Sequence, residues 1–247
     1  MSDKKDTLFA SPDDPLARFT FDERVAGVFR DMIERSVPGY SATVAMIGAL
    51  AGRYARPGTL CYDLGASLGA GALAMQRHIK VPDVRIIAVD NSAAMVERGR
   101  ALCATQKGQS PVEWRLEDIR QTPIEHASVA VLNFTLQFLP PEDRLPMIRR
   151  VFKGLSDGGV LILSEKIRFQ DEAENQRQIE WHHTFKEANG YSRLEIAQKR
   201  SALENVLIPE TTATHIKRLK QAGFSVVHQW FQSFNFISLI AVKDANG

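Results

Sequence analysis

Cysteine is scarce in this chain: Cys61 and Cys103 are the only two in 247 residues. One sits in an apolar run and the other in a helical stretch, without metal-ligand spacing. They read as unpaired thiols of a reducing compartment that carry no chemistry. An excess of one charge is also lacking. The 31 Lys and Arg against 29 Asp and Glu leave a net charge of +2, too mild to argue for direct nucleic-acid binding. No apolar run approaches the roughly 20 residues that a membrane helix needs. The opening MSDKKDTLFASPDD has charge but no apolar core, so no signal peptide is expected and a cytoplasmic location is the default. Internal repeats and low-complexity segments are missing too. What is present is ordinary globular material, 44% hydrophobic and 24% charged, enough to bury a core.

Residues 1–20, polar and punctuated by proline, read as a flexible arm, and residues 21–247 as a single domain. Val25, Phe29, Met32 and Ile33 recur at helical spacing, with Thr20 or Asp22 as the cap and Pro38 and Gly39 as the stop. A second helix is expected over 41–54. Then comes an alternation: strand in TLCYDLG, helix over 70–79, strand in VRIIAVD, helix over 93–104, strand in VEWRLED, and strand in SVAVLNFTLQF running into a loop. A helix over 141–155 and a strand in GGVLILSEK complete it, with the glycine pair of LSDGG as the turn between them. Such repeats imply parallel crossovers, hence an α/β fold with a doubly wound, mostly parallel sheet. From about 168 to 208 the sequence is charged and helical, an insertion after the fifth strand that would cover the sheet's top edge. PETTATHIKRLKQAG reads as a further helix, capped by Thr211 or Thr212 and stopped by Gly223. FSVVHQWFQSFNFISLIAVK reads as a closing antiparallel hairpin, which brings the sheet to seven strands.

Doubly wound sheets bind ligands beyond the carboxyl ends of their strands, where strand order reverses. CYDLGASLGAGALAM, residues 61–75, belongs there. Gly65, Ala66, Ser67, Gly69 and Gly71 strip the loop of bulk, so that a ligand can approach bare backbone at the start of a helix. The spacing is not the G-x-G-x-x-G of a pyrophosphate site, and Asp63 would repel a pyrophosphate. Asp63 suits a ligand carrying an ammonium group and one carboxylate, as S-adenosylmethionine does. Asp90, ending the second strand, is placed to take both ribose hydroxyls, with Asn91 beside the adenine. Asp118 can accept from the adenine amino group while the Ile119 N–H meets a ring nitrogen, and Asn133 would line the methionine side. Singly each is commonplace, a tight turn or a solvated strand end; the four at successive strand ends make the signal.

YDLGASLG, AVDNS, EDIR, VLNFTLQFL and GLSDGGVLILSEK resemble the class I S-adenosylmethionine-dependent methyltransferase fold. FDERVAGVFRDMIERSVPGYS, WHHTFKEANGYSRLEIAQKRSALENVL and WFQSFNFISLIAVK narrow the resemblance to the carboxy-S-adenosylmethionine synthase family of the tRNA wobble-uridine pathway. It spans about Phe21 to Lys243 and includes the insertion, which generic methyltransferases lack. The resemblance implies transfer of a carboxyl group from prephenate to the sulfonium methyl, with phenylpyruvate as by-product. It also implies a homodimer and a functional link to a tRNA carboxymethyl transferase. Carried over residue by residue, it places Tyr40, Gly65, Ala66, Ser67, Asp90, Asn91, Asp118, Ile119 and Asn133 at the ligand and makes Arg200 the reader of the new carboxylate. Ala66 departs from the family's Cys, at a position where the contact should be through backbone.

Without the resemblance, Arg200 reads as a solvated helix residue and Tyr40 as a packing aromatic. Lys199 reads as solvated or as a weak electrostatic helper. Glu180 and His183 have Glu-x-x-His spacing, but a bundle metal site needs a second copy, so no metal is expected. His182 and His183 read as residues of a helix face near the site, or as solvated ones. Trp181, Phe185 and Tyr191 read as lid or interface packing. Three alternatives stand beside the first reading. One is an ordinary methyltransferase on a small molecule or RNA, and another is a non-catalytic S-adenosylmethionine-binding subunit. The third, a nicotinamide dehydrogenase, is disfavoured by Asp63 and the Ser67 spacing.

Overall fold

The computed structural model describes residues 5–11, 19–106, 108–204 and 206–244. Asp22 caps α1 (Glu23–Ser36) by accepting from the Val25 N–H at 3.0 Å, and the stripe Val25, Phe29 and Met32 is buried. A left-handed Gly39 leads into α2 (Tyr40–Tyr54). Seven strands then form one sheet: β1 (Leu60–Leu64), β2 (Arg85–Asp90), β3 (Val112–Leu116), β4 (Ala127–Asn133), β5 (Leu155–Lys166), β6 (Val226–Ser233) and β7 (Phe236–Val242). Their order is β3-β2-β1-β4-β5-β7-β6, parallel except where β7 runs antiparallel to both neighbours. α3 (Ala70–His78), α4 (Ala93–Ala104) and α5 (Pro141–Gly154) connect the parallel strands. α6 (Glu172–Ala188) and α7 (Arg193–Leu203) form the insertion, and α8 (Thr212–Ala222) leads into the hairpin. Thr211 caps α8 by accepting from the Thr214 N–H at 3.2 Å, and Gly223 ends it with φ of 120°.

The sheet is covered on both faces. Ile47 and Ala51 of α2, Met75 of α3 and Ile79 just after it pack against Cys61, Ile86, Val129 and Ile162. On the other side, Met147, Ile148 and Val151 of α5 and Leu219 of α8 meet Leu64, Ile87, Leu132 and Leu163. Burying each such side chain stabilises the fold by about 1.5–3 kcal/mol, which anchors the strand ends that carry the site. Strand order reverses between β1 and β4, so the ligand crevice of this topology lies over their carboxyl ends.

Two expectations change. β5 starts at Leu155, not after the glycine pair: Leu155 pairs with Ala127, the chain bulges through Gly158 and Gly159, and pairing resumes at Val160 with Val129. The described part of the expected flexible arm is packed on α1 and α7. Phe9 and Phe19 join a cluster with Val25, Met32 and Ala202. Asp6 is buried, its N–H donating to Asp31 Oδ2 at 2.7 Å and its carboxylate accepting from the Tyr191 hydroxyl at 2.5 Å. Residues 1–4 and 12–18 of that arm lie outside the described residues.

Candidate active site

The loop after β1 is built on left-handed backbone, with φ of 81°, 49° and 82° at Gly65, Ser67 and Gly69. A Cβ on Gly65 would collide with the Thr135 side chain, so only glycine lets this loop lie against the β4 end. The Gly65 and Ala66 N–H groups donate to the Val89 carbonyl at 2.8 and 2.9 Å, tying the loop to β2. Asp63 is buried at the end of β1 and accepts from the Ala72 N–H at 2.7 Å. Gly71 makes room for it, since a Cβ there would lie 2.7 Å from the carboxylate. Burial pushes the Asp63 carboxyl up to about 7, the state of an acid that lacks a nearby cation.

A cavity of about 490 Å³ opens above these strand ends. Nine of the ten residues expected at the ligand line it: Tyr40, Gly65, Ala66, Ser67, Asp90, Asn91, Asp118, Ile119 and Asn133. Asp90 is held by the Ser67 N–H at 2.8 Å and the Ser92 N–H at 2.9 Å, so its carboxylate is aimed before any ligand arrives. Burial raises its pKa above the usual carboxylate range. Asp118 is gripped by Arg120, with Nη2 at 2.6 Å, and that hydrogen bond holds its carboxyl below the ordinary value. Asn133 Oδ1 is buried without a hydrogen-bond partner at the end of β4, and the residue lines the cavity. Burial pushes the Tyr40 hydroxyl well up, so it stays protonated and able to donate. The glycine cradle, the orphaned Asn133 oxygen and the pre-aimed Asp90 fit a nucleoside carrying an amino-acid tail.

Arg200 is the exception. It is exposed and lines a separate hollow with His183, Glu187 and Glu204. Its charge still reaches the cavity wall, weighing on Lys166, as well as on His183 in its own hollow. Its neighbour Lys199, expected to be solvated, is 6% exposed and lines the cavity. Lys199 Nζ donates to Ser36 Oγ at 2.9 Å and lies 3.8 Å from Asp6 Oδ2. The structural reason is helical phase: successive residues of α7 point about 100° apart, and the face bearing Ile196, Lys199 and Ala202 is the buried one.

Reading the sequence placed His182 on a helix face near the site, but missed Lys166 and Lys186 on the same wall. Lys166 ends β5, and His182 and Lys186 lie one turn apart on the buried side of α6; all three line the cavity. His182 Nε2 is 2.8 Å from the Ser36 carbonyl oxygen. Burial and Lys186 hold the ring well below its ordinary pKa, so it is neutral and Nε2–H donates. Burial pushes Lys166 and Lys199 down to about 8 and Lys186 to about 7. A signal for Lys166 existed, because it ends a strand just as Asp63, Asp90 and Asn133 do. Trp181 is exposed and Tyr191 is buried beneath Arg35, 3.9 Å from its ring centroid. Glu180 and His183 do not form part of any metal-holding group of three or more ligands among the described residues. No helix among them is long and apolar enough to cross a membrane.

Comparison with known proteins places this site in a lineage. A family model described as a methyltransferase domain matches residues 62–159. Among solved structures, human N-acetylserotonin methyltransferase in complex with SAM is similar with a TM-score of 0.60 at 15% identity, covering 96% of this chain and 58% of that one. The magnesium protoporphyrin IX methyltransferase of Synechocystis, with bound SAM, gives 0.56 at 18% identity, covering 83% and 80%. At these identities the likeness is one of fold. Sequence relatives go further. Carboxy-S-adenosyl-L-methionine synthase of Trichlorobacter lovleyi is 58% identical over 244 residues, 98% of this chain and 100% of the relative. That of Vibrio cholerae is 55% identical over 239 residues, 97% of each. With the loop, the strand-end acids and the insertion all in place, the chain belongs to the carboxy-S-adenosyl-L-methionine synthase family.

Proposed function

We propose that this protein converts S-adenosylmethionine and prephenate to carboxy-S-adenosylmethionine and phenylpyruvate. The product would supply a tRNA carboxymethyl transferase acting on wobble uridine. The observation that carries the reading is the cavity that gathers nine of the ten expected residues in a chain 58% identical to a relative of that name. Asp90 takes the ribose, Asp118 and Ile119 the adenine, and Asp63 and Asn133 the ammonium end. The Gly65–Ser67 backbone passes under the methionine chain. A sulfonium acidifies its methyl, so the methyl carbon can act as nucleophile once water is kept out. Tyr40, Phe134 and Phe236 line the cavity and exclude it. The donor's ring carbon–carboxyl bond breaks, its electron pair enters the ring, and the ring hydroxyl departs as the ring becomes aromatic. The departing hydroxide takes the methyl proton to form water, and the methyl carbon bonds to the carboxyl carbon. The protein's work is positioning and charge management.

Arg200 reads the new carboxylate in this scheme. Because it lies outside its own chain's cavity lining, we assign it to the cavity of a second copy in a homodimer. The exposed Trp181 of α6 is a candidate for the contact surface. The test is a mass spectrum of the nucleotide formed from S-adenosylmethionine with and without prephenate. A product heavier by one CO2, formed only with prephenate, supports the reading. S-adenosylhomocysteine with a methylated acceptor overturns it in favour of ordinary methyl transfer.

A further inference from the structure

The cavity is lopsided in charge. Its acids are spoken for within the protein or by the adenosine and ammonium ends of the nucleotide. Asp63 accepts from Ala72, Asp90 from Ser67 and Ser92, and Asp118 from Arg120. Two of its cations are not. Lys199 is engaged by Ser36 and Asp6. The ammonium groups of Lys166 and Lys186 form no hydrogen bond or ion pair with any described residue, although Lys186 is only 8% exposed and both line the cavity. Glu165, beside Lys166 in sequence, turns to the other face of the sheet and accepts from the Leu136 N–H at 3.0 Å. Three positive groups thus converge on one wall, and S-adenosylmethionine adds a sulfonium to them. Unpaired buried charges are costly and persist where a ligand completes them. The same wall is apolar and aromatic: Val37, Phe134 and Phe236 cluster there, with Lys166 Nζ 5.9 Å from the Phe236 ring centroid.

We propose that Lys166 and Lys186, backed by Lys199, form a subsite that holds a carbocyclic dicarboxylate beside the end of the cavity marked by Asn133 and Phe134. The inference rests on the carboxyl-transfer reading and deepens it by naming the groups that receive the donor. Two unpaired ammoniums match two carboxylates, and the aromatic patch beside Lys166 on the same cavity lining matches a six-membered ring. The neutral His182, donating to the Ser36 carbonyl, fixes α6 against α1 and so sets where Lys186 points.

The test uses protein saturated with S-adenosylhomocysteine and two probes, 4-carboxyphenylacetate and phenylacetate, titrated by calorimetry. Wild type should prefer the dicarboxylate by about tenfold or more, the discrimination that one charge-assisted pair supplies. Lys186→Met and Lys166→Met should each remove most of that preference, and Lys186→Arg should keep it. S-adenosylhomocysteine affinity should change by less than about twofold in every variant, which also shows that they fold. Equal affinity of wild type for both probes overturns the proposal. So does a loss of S-adenosylhomocysteine affinity matching the loss of probe affinity, for the lysines would then be holding the methionine carboxylate. Turnover separates this from the parent reading. Carboxylated nucleotide formed by Lys186→Met with an unchanged KM for prephenate sinks the subsite alone. A wild type that discriminates between the probes yet forms no carboxylated nucleotide sinks the function alone.

Discussion

Replacing Lys186 with Met should stabilise the ligand-free protein. Lys186 is 8% exposed, and no anion faces it among the described residues; its electrostatic neighbours are Lys166 and Lys199. The fall from the usual lysine value of 10.5 to about 7 corresponds to a ceiling of about 5 kcal/mol, at about 1.4 kcal/mol per pH unit. Local relaxation and water entry reduce that, and exchanges of buried charge for apolar groups of similar size return about 1–4 kcal/mol. Met keeps the stem's length and packing, so a gain of about 2 kcal/mol is expected, equal to a Tm rise of about 4–8 °C for a chain of this size. The sign with pH follows from linkage. The unfolded chain holds this proton up to about 10.5 and the folded one only to about 7, so the wild-type penalty is full below 7 and fades as pH rises toward 10.5. Differential scanning calorimetry of both proteins at pH 6.5 and pH 10 measures this. A Tm for Lys186→Met equal to or below wild type at pH 6.5 would refute the view that Lys186 is an uncompensated charge awaiting a ligand.

Asp90→Ala should weaken S-adenosylmethionine binding by about 3 kcal/mol, on the order of a hundredfold in Kd, from two lost charge-assisted hydrogen bonds to ribose; a change under about threefold in calorimetry would contradict the ribose assignment. Gly65→Ala, forced against Thr135 in left-handed backbone, should cost about 1–3 kcal/mol in stability and weaken nucleotide binding as the loop shifts; unchanged Tm and Kd would contradict the cradle. With S-adenosylmethionine saturating, the KM for prephenate should climb as pH rises through 7 and 8, where Lys186 and then Lys166 lose their protons; a flat profile would contradict a cationic donor subsite. Mixing Arg200→Ala with Asp90→Ala protein should restore about a quarter of wild-type turnover through hybrid dimers with one complete site; no recovery would place Arg200 at its own chain's cavity.

The sheet was legible because its inner strands β1, β2 and β4 are mostly apolar and buried and its crossovers carry helical spacing, both properties of local sequence. The strand ends were legible for the same reason: Asp63, Asp90, Asp118 and Asn133 each stand where an apolar run stops. Lys166 obeys the same rule and was overlooked because a lysine after a strand reads as solvated. Lys186 and Lys199 lie deeper. Their burial follows from how α6 and α7 fold back over α1, and no periodicity within those charged helices encodes that contact. Asp6 shows the same limit: a polar opening segment reads as loose until Tyr191, 185 residues away, is found donating to it. Arg200, drawn from resemblance, and Lys199, drawn from packing, are neighbours pointing about 100° apart on α7, and the described chain brings only Lys199 to the cavity.

Carboxyl transfer itself is tested most directly by isotope. With prephenate labelled by 13C at the ring carboxyl alone, the label should appear on the nucleotide product, bonded to the former sulfonium methyl in the 13C spectrum, while phenylpyruvate is unlabelled. Release of all the label as bicarbonate, with S-adenosylmethionine unchanged or converted only to S-adenosylhomocysteine, would contradict it.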